Sequence, residues 1–255
     1  MKKRVVFNQK GGVGKSTIST NLAAMSAKQG LKTLLIDLDA QGNATHYAGI
    51  DVNHDVLTVA DMFKQTVGWF SKTLTATDFI QQSNFDDLWV MPASHALADI
   101  ERELESRYKM FKLRDTLKEI EHDFDRVYID TPPNFNFYSK AALIAADSFL
   151  VPFDCDDFSA QAIKRLLENV MELKSDHNQT LECEGIVINQ YNSQANLPKQ
   201  LVADLIAQGL PVLDTRLSAS VKIRESHSMR KPMGFLAPSH KLSQQFDALL
   251  REIEK

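Results

Sequence analysis

Short apolar runs alternate with segments of helical spacing along most of this 255-residue chain. Residues 5–8, 33–37, 88–91, 126–130, 148–153, 184–189 and 211–215 read as strands, being brief, apolar and rich in Val, Ile and Leu. Between them, Ile18, Leu22 and Met25, then Ile163, Leu166, Leu167 and Val170, recur at helical intervals. Leu242, Phe246, Leu249, Leu250 and Ile253 do the same near the end. Alternation of this kind predicts parallel strands joined by crossover helices. The expected fold is α/β: a doubly wound, mostly parallel sheet with helices on both faces and its ligand at the carboxyl ends of the strands. No internal repeat or low-complexity linker interrupts the pattern, so a single domain over residues 1–255 is expected. Residues 46–87 are the least regular. Trp69 and Phe70 in that stretch read either as a partner-binding patch or as core and cap residues.

Composition narrows the class. A chain of this length can bury a core that needs no covalent staples. Cys155 and Cys183 form no CxxC pair, so neither a disulfide framework nor a zinc site is expected, and a reducing cytoplasm is. The seven histidines show no metal-ligand spacing. No apolar run approaches membrane-spanning length, and the first ten residues leave no room for a signal peptide. A net charge of -4 argues against a generally basic nucleic-acid coat while leaving a local patch open.

The chemistry starts at Lys10-Gly11-Gly12-Val13-Gly14-Lys15-Ser16-Thr17, set between the first strand and the first helical segment. Three glycines let the backbone turn several N–H groups toward phosphate oxygens, and the helix that follows adds the positive end of its dipole. Lys15 neutralises the outer phosphates, Ser16 offers a hydroxyl to magnesium, and Thr17 reaches back to the α-phosphate. The motif therefore asks for a nucleoside triphosphate with Mg2+. Lys10 is a second lysine that an ordinary phosphate loop does not require.

Two acidic segments complete the pattern. Asp37 and Asp39 close an apolar strand at i, i+2 and lead into Gln41-Gly42-Asn43-Ala44-Thr45. A carboxylate so placed can orient the water that attacks a phosphoryl group. Asp130 ends the strand at 126–130 and is followed by Thr131-Pro132-Pro133, where an acid can hold magnesium through water. Asn189 ends another strand on the same side. It reads either as an Asx turn or as an amide facing an adenine edge.

Lys-Gly-Gly-Val-Gly-Lys-Ser-Thr resembles the deviant phosphate loop of the ParA and MinD ATPases. The Asp37–Thr45 segment and Ile129-Asp130-Thr131-Pro132-Pro133 resemble the same family's catalytic and switch segments. Ala40 and Asn134 depart from its usual proline and serine. The resemblance implies ATP as cofactor and an ATP-dependent homodimer in which Lys10 crosses to the partner's nucleotide. It makes Asp39 the residue that positions water, and places Asp37 and Asp130 near magnesium. It further implies a partition or positioning ATPase acting on a plasmid, chromosome or protein complex. Hydrolysis would be slow alone and stimulated by a cargo-bound ParB-like or adaptor protein.

Lys222, Arg224, Arg230, Lys231 and Lys241 gather in a stretch of locally positive charge, which fits sequence-neutral contact with DNA phosphates. Nucleoid association inside the cytoplasm would follow. Residues 239–255 are locally neutral, unlike the basic amphipathic tail that carries MinD-type relatives to a membrane surface, so no membrane contact is expected. A MinD-like membrane regulator and a biosynthetic ATP-dependent ligase of the dethiobiotin or cobyrinate type are the alternatives.

Overall fold

A strand covered on both faces needs a continuous apolar run rather than an alternating one, and all five residues of Thr33–Asp37 are buried. In the computed structural model, which describes residues 1–65, 74–155 and 160–255, this strand lies inside one eight-stranded sheet. Trp69 and Phe70 lie outside the described residues. The strands are β1 (Lys2–Val6), β2 (Thr33–Asp37), β3 (Gln81–Gln82), β4 (Leu88–Met91), β5 (Arg126–Asp130), β6 (Ser148–Asp154), β7 (Glu182–Tyr191) and β8 (Val212–Ser218). Their order is β3-β4-β2-β5-β1-β6-β7-β8, and every pairing is parallel except β3 with β4.

The helices, among the described residues, are α1 (Lys15–Lys28), α2 (Asn43–Tyr47), α3 (Val59–Lys64), α4 (Ala96–Ser106), α5 (Lys112–Glu119) and α6 (Phe137–Ala145). They continue with α7 (Ala160–His177), α8 (Asn196–Ala207), α9 (Val221–Ser228), α10 (Met233–Leu236) and α11 (Lys241–Ile253). Successive side chains of a strand point to opposite faces, and the core divides accordingly. Val5, Leu34 and Ile36 join the cluster that contains Phe137 of α6 and Ile163 of α7, whereas Val6 and Leu35 join the one that contains Leu22 of α1 and Phe246 of α11. The sheet is thus covered on both sides, as the alternation predicts.

Two local departures have clear causes. The first strand begins at Lys2, although Lys2, Lys3 and Arg4 look unsuited to a sheet interior. Each meets an acid there: Lys3 pairs with Asp147 at 2.9 Å, and Arg4 with Glu184 at 3.0 Å and Glu254 at 2.7 Å. Arg4 is 1% exposed, so these partners replace the water it has lost. The second departure is an extra residue in β7. Leu150 pairs with Gly185 whereas Phe149 pairs with Cys183, and Glu184 between them turns its carboxylate onto Arg4 and Ser148.

The chain lays β2, β4 and β5 to one side of β1 and then crosses to place β6, β7 and β8 on the other. Ligands in open α/β sheets bind at the carboxyl ends of strands where the order reverses in this way. That point is the end of β1, where the glycine-rich loop begins.

Candidate active site

The loop is built by backbone constraint from both ends. Gly14 adopts φ 93° and gives its carbonyl to the Ile18 N–H at 2.9 Å, opening α1. No side chain caps that helix, which leaves its first N–H groups facing the loop's concavity. A Cβ on Gly14 would stand 2.3 Å from Nδ2 of Asn189, so only glycine fits. The same Asn189 amide donates to the Val13 carbonyl at 2.9 Å and pins the loop to β7. At its other end, Asn8 donates to the Pro152 carbonyl and accepts from the Lys10 N–H.

Lys15 is buried, and its ammonium donates to the Lys10 carbonyl at 2.7 Å. Burial pulls its pKa down, while the charges of Asp130 and Asp39 work the other way. Asp130 stands beside Asp37 in the β2–β5 register, and both are fully buried. Asp37 accepts from the Asp39 N–H on one oxygen and from the N–H and hydroxyl of Thr45 on the other. Burial raises its pKa to about 6 against those bonds. Neither oxygen of Asp130 has a hydrogen-bond partner; the Ser16 hydroxyl faces it without closing a bond of ordinary geometry. Burial first, and then the neighbouring Asp37, push its pKa well above the usual carboxylate range.

Two buried, unpartnered carboxylate oxygens beside a serine hydroxyl are a set of hard oxygen donors that suits magnesium. Among the described residues no group of three or more His, Cys, Asp or Glu could hold a metal. A cation here would therefore complete its shell with phosphate and water, as magnesium does. Asp39 is half-buried, on the rim of a cavity of about 570 Å3 that Lys15, Ser16, Pro132 and Asn134 also line. Its carboxylate accepts from the Gln41 N–H at 3.0 Å, which fixes it at the mouth of the loop.

The segment after Asp130 is tied to the end of β1 and to the residue just before the phosphate loop. Thr131 donates to the Val6 carbonyl at 2.8 Å, and the Asn134 N–H donates to the Gln9 carbonyl at 3.1 Å. Asn134 sits at φ 96°, a conformation that side chains rarely adopt, two residues before the Asn136–Ser139 capping box of α6.

A second cavity, about 550 Å3, opens on the other side of Gly12, Gly14 and Thr17 and is walled by Asn189, Ser218 and Arg224. His227 lines both cavities and escapes the motif reading entirely. Its Nε2 is 3.0 Å from the Thr17 hydroxyl, and its ring stacks on Tyr47 at 3.9 Å. A lone histidine 210 residues from the loop carries no local signal; only the fold brings it there.

The basic residues divide. Arg224 and Lys241 are exposed, Lys231 is half-buried, and Lys222 pairs with Glu225 at 2.6 Å on the surface of α9. Arg230, the remaining member of the predicted DNA-contacting set, is half-buried. Its guanidinium binds Asp51 at 2.7 Å and the His46 carbonyl at 3.2 Å, and its Nη2 is buried, so it fastens α2 to the segment after α9.

Residues 1–183 match a family model described as an AAA domain. The chromosome partitioning protein ParA of Myxococcus xanthus is 32% identical over 256 residues, covering 98% of this chain and 87% of that protein. This chain belongs to the ParA family. Among solved structures, the ATP complex of a Cyanothece McdA variant superposes with a TM-score of 0.86 at 22% identity, covering 100% of this chain and 96% of that one. Cobyrinic acid a,c-diamide synthase from Mycobacterium smegmatis, with bound ATP analog and magnesium, gives 0.85 at 23% identity, covering 98% and 93%. Likeness at that identity shows the shared fold alone, so the choice between the two activities rests on the ParA match and on the residues.

Proposed function

We propose that this ParA-family chain is an ATP-dependent, dimerising ATPase that partitions or positions a cargo. The observation that carries the reading is Asp130, with two buried and unpartnered oxygens beside Ser16 and Lys15 at the mouth of the phosphate loop. Ser16 and Asp130 would hold magnesium, with Asp37 adding negative charge behind them. When bound, magnesium neutralises charge on the β- and γ-phosphates. Lys15 exchanges the Lys10 carbonyl for the phosphate tail, and the N–H groups of residues 11–17 cradle the remaining oxygens. Asp39 orients the attacking water, and the adenosine occupies the cavity walled by Asn189. Lys10 reaches the partner's nucleotide across the dimer boundary. Lys222, Arg224, Lys231 and Lys241 bind DNA phosphates without reading sequence, and hydrolysis, stimulated by a cargo-bound ParB-like or adaptor protein, releases the dimer. The protein would work in the cytoplasm on the nucleoid.

Asp39→Ala tests the water-positioning role. The variant should form the ATP dimer, seen by light scattering, while releasing phosphate at least about a hundredfold more slowly, an ordinary loss for one general base. Phosphate release at the wild-type rate removes Asp39 from the mechanism.

A further inference from the structure

His227 joins two parts of the molecule that the proposed reading treats separately. It belongs to α9, which presents Lys222 and Arg224, yet its Nε2 meets the hydroxyl of Thr17 in the phosphate loop at 3.0 Å. The ring is held flat against Tyr47 at an interplanar angle of 15°. Tyr47 is itself fixed, sharing hydrogen bonds with Ser226 at 2.6 Å and with Asn21 at 3.1 Å. The Asn21 amide donates back to the Thr17 carbonyl, so helices α1, α2 and α9 close a ring of contacts around Thr17.

The proton count of that contact is set by what Thr17 faces. A threonine hydroxyl has one proton to give and two lone pairs. A phosphate at this place only accepts, so with nucleotide bound Thr17 gives its proton to the phosphate and must accept from its other neighbour. That neighbour is Nε2 of His227, which must then carry the hydrogen. With the site empty, the hydroxyl is free to donate to an unprotonated Nε2 instead.

The geometry points to His227 as the positioning residue that aims the Thr17 hydroxyl at the α-phosphate and, by the same hydrogen bond, holds α9 in one place when nucleotide is bound. The inference rests on the reading of residues 10–17 as an ATP site. It identifies the joint through which occupancy of that site reaches the basic helix.

The test uses the full chain with MgADP, so that neither dimerisation nor DNA is needed. Long-range proton–nitrogen spectra of histidine-labelled protein should show Nε2 of His227 shifting to the protonated, pyrrole-like position when MgADP binds. Amide exchange over residues 221–228 should slow in the same titration. His227→Phe keeps a ring for Tyr47 and loses the hydrogen bond; it should bind MgADP about three- to tenfold more weakly, the worth of one net hydrogen bond, and lose the α9 protection. His227→Gln restores a donor and should recover most of both. The inference is overturned if wild-type Nε2 is unprotonated in the MgADP complex, or if His227→Phe binds MgADP and protects α9 as wild type does. The spectral result stands on wild-type protein, whatever the folding of the variants. Failure of MgADP to bind wild-type protein at all would overturn the reading of the ATP site, and failure of DNA to bind would overturn the partition reading while leaving the outcome for α9 unaffected.

Discussion

Asp130 buries a carboxylate with no hydrogen-bond partner, and its strain has a pH signature. Its folded-state pKa is raised above the unfolded value of 3.8, burial being the first cause and Asp37 the second. Between those two values the folded chain keeps a proton that the unfolded chain has lost, so stability falls as pH rises through the window. An amide at this position never ionises. Asp130→Asn should therefore gain melting temperature on wild type progressively as pH rises above about 4, without nucleotide. Glu254, held low by Arg126 and Arg4 against the pull of burial, shifts stability the opposite way, but it is common to both proteins and cancels in the difference; Asp37, pushed up to about 6 by burial beside Asp130, is relieved of its neighbour's charge in the variant and adds to the same trend. Saturating MgATP should reverse the ranking. A ligand at a hundred times its dissociation constant adds about 2.7 kcal/mol, which wild type would collect and the variant largely forgo. A difference that stays flat with pH would show that Asp130 is not strained, and MgATP stabilising both equally would show that it is not a magnesium residue.

At the scale of elements, the join between β6 and β7 turns on one glycine. Gly185 sits at φ 146°, and a Cβ there would lie 2.8 Å from Cγ of Leu213 and 2.9 Å from the Pro211 carbonyl. Gly185→Ala should cost about 1–3 kcal/mol through overpacking and backbone strain, a fall in melting temperature of roughly 2–12 °C for a domain of this size. An unchanged melt would mean that the bulge relaxes freely. Such a bulge is illegible in sequence, because Glu184-Gly185 reads as the start of an ordinary strand; only the register with Phe149 and Leu150 exposes it. The strands at 33–37, 88–91 and 126–130 were legible because each is short, apolar and buried on both faces. The apolar signal of β1 starts only at Val5, three residues past the strand's beginning, because isolated charges look like loop until their acids are known. Strand β3, two glutamines, has no hydrophobic signal at all. The same contrast governs the site: a contiguous motif announces the phosphate loop and both acidic segments, whereas His227 and the inward turn of Arg230 exist only through contacts between distant segments.

The whole molecule settles what the C-terminal helix is for. Leu242, Phe246, Leu249 and Leu250 of α11 are buried in the core shared with α1, and Glu254 beyond it is clamped by Arg126 and Arg4. Its apolar face is consumed by its own fold and is not offered to a lipid surface. Among the described residues no helix is long and apolar enough to cross a membrane. Under the proposed reading the dimer is held by Lys10, whose loss should leave nucleotide binding in place and abolish the ATP-dependent doubling of mass in light scattering; a Lys10→Ala protein that still dimerises would remove the cross-boundary contact. DNA affinity then has to come from a local patch, since a chain of net charge -4 is repelled as a whole. Each phosphate contact contributes about 0.9 to the salt slope, so Lys222→Glu with Arg224→Glu should flatten the slope by about 1.8 per protomer, about 3.6 for a dimer. Lys222 enters that contact already paired with Glu225 at 2.6 Å, an exposed pair worth roughly 0.2–1 kcal/mol. Releasing it should help rather than harm. Glu225→Gln should tighten binding to DNA of any sequence by about 1.4- to fivefold per contact at low salt, with the gain fading as salt rises. Weaker binding by this variant would place Glu225 itself at the DNA and turn the basic face of α9 away from it.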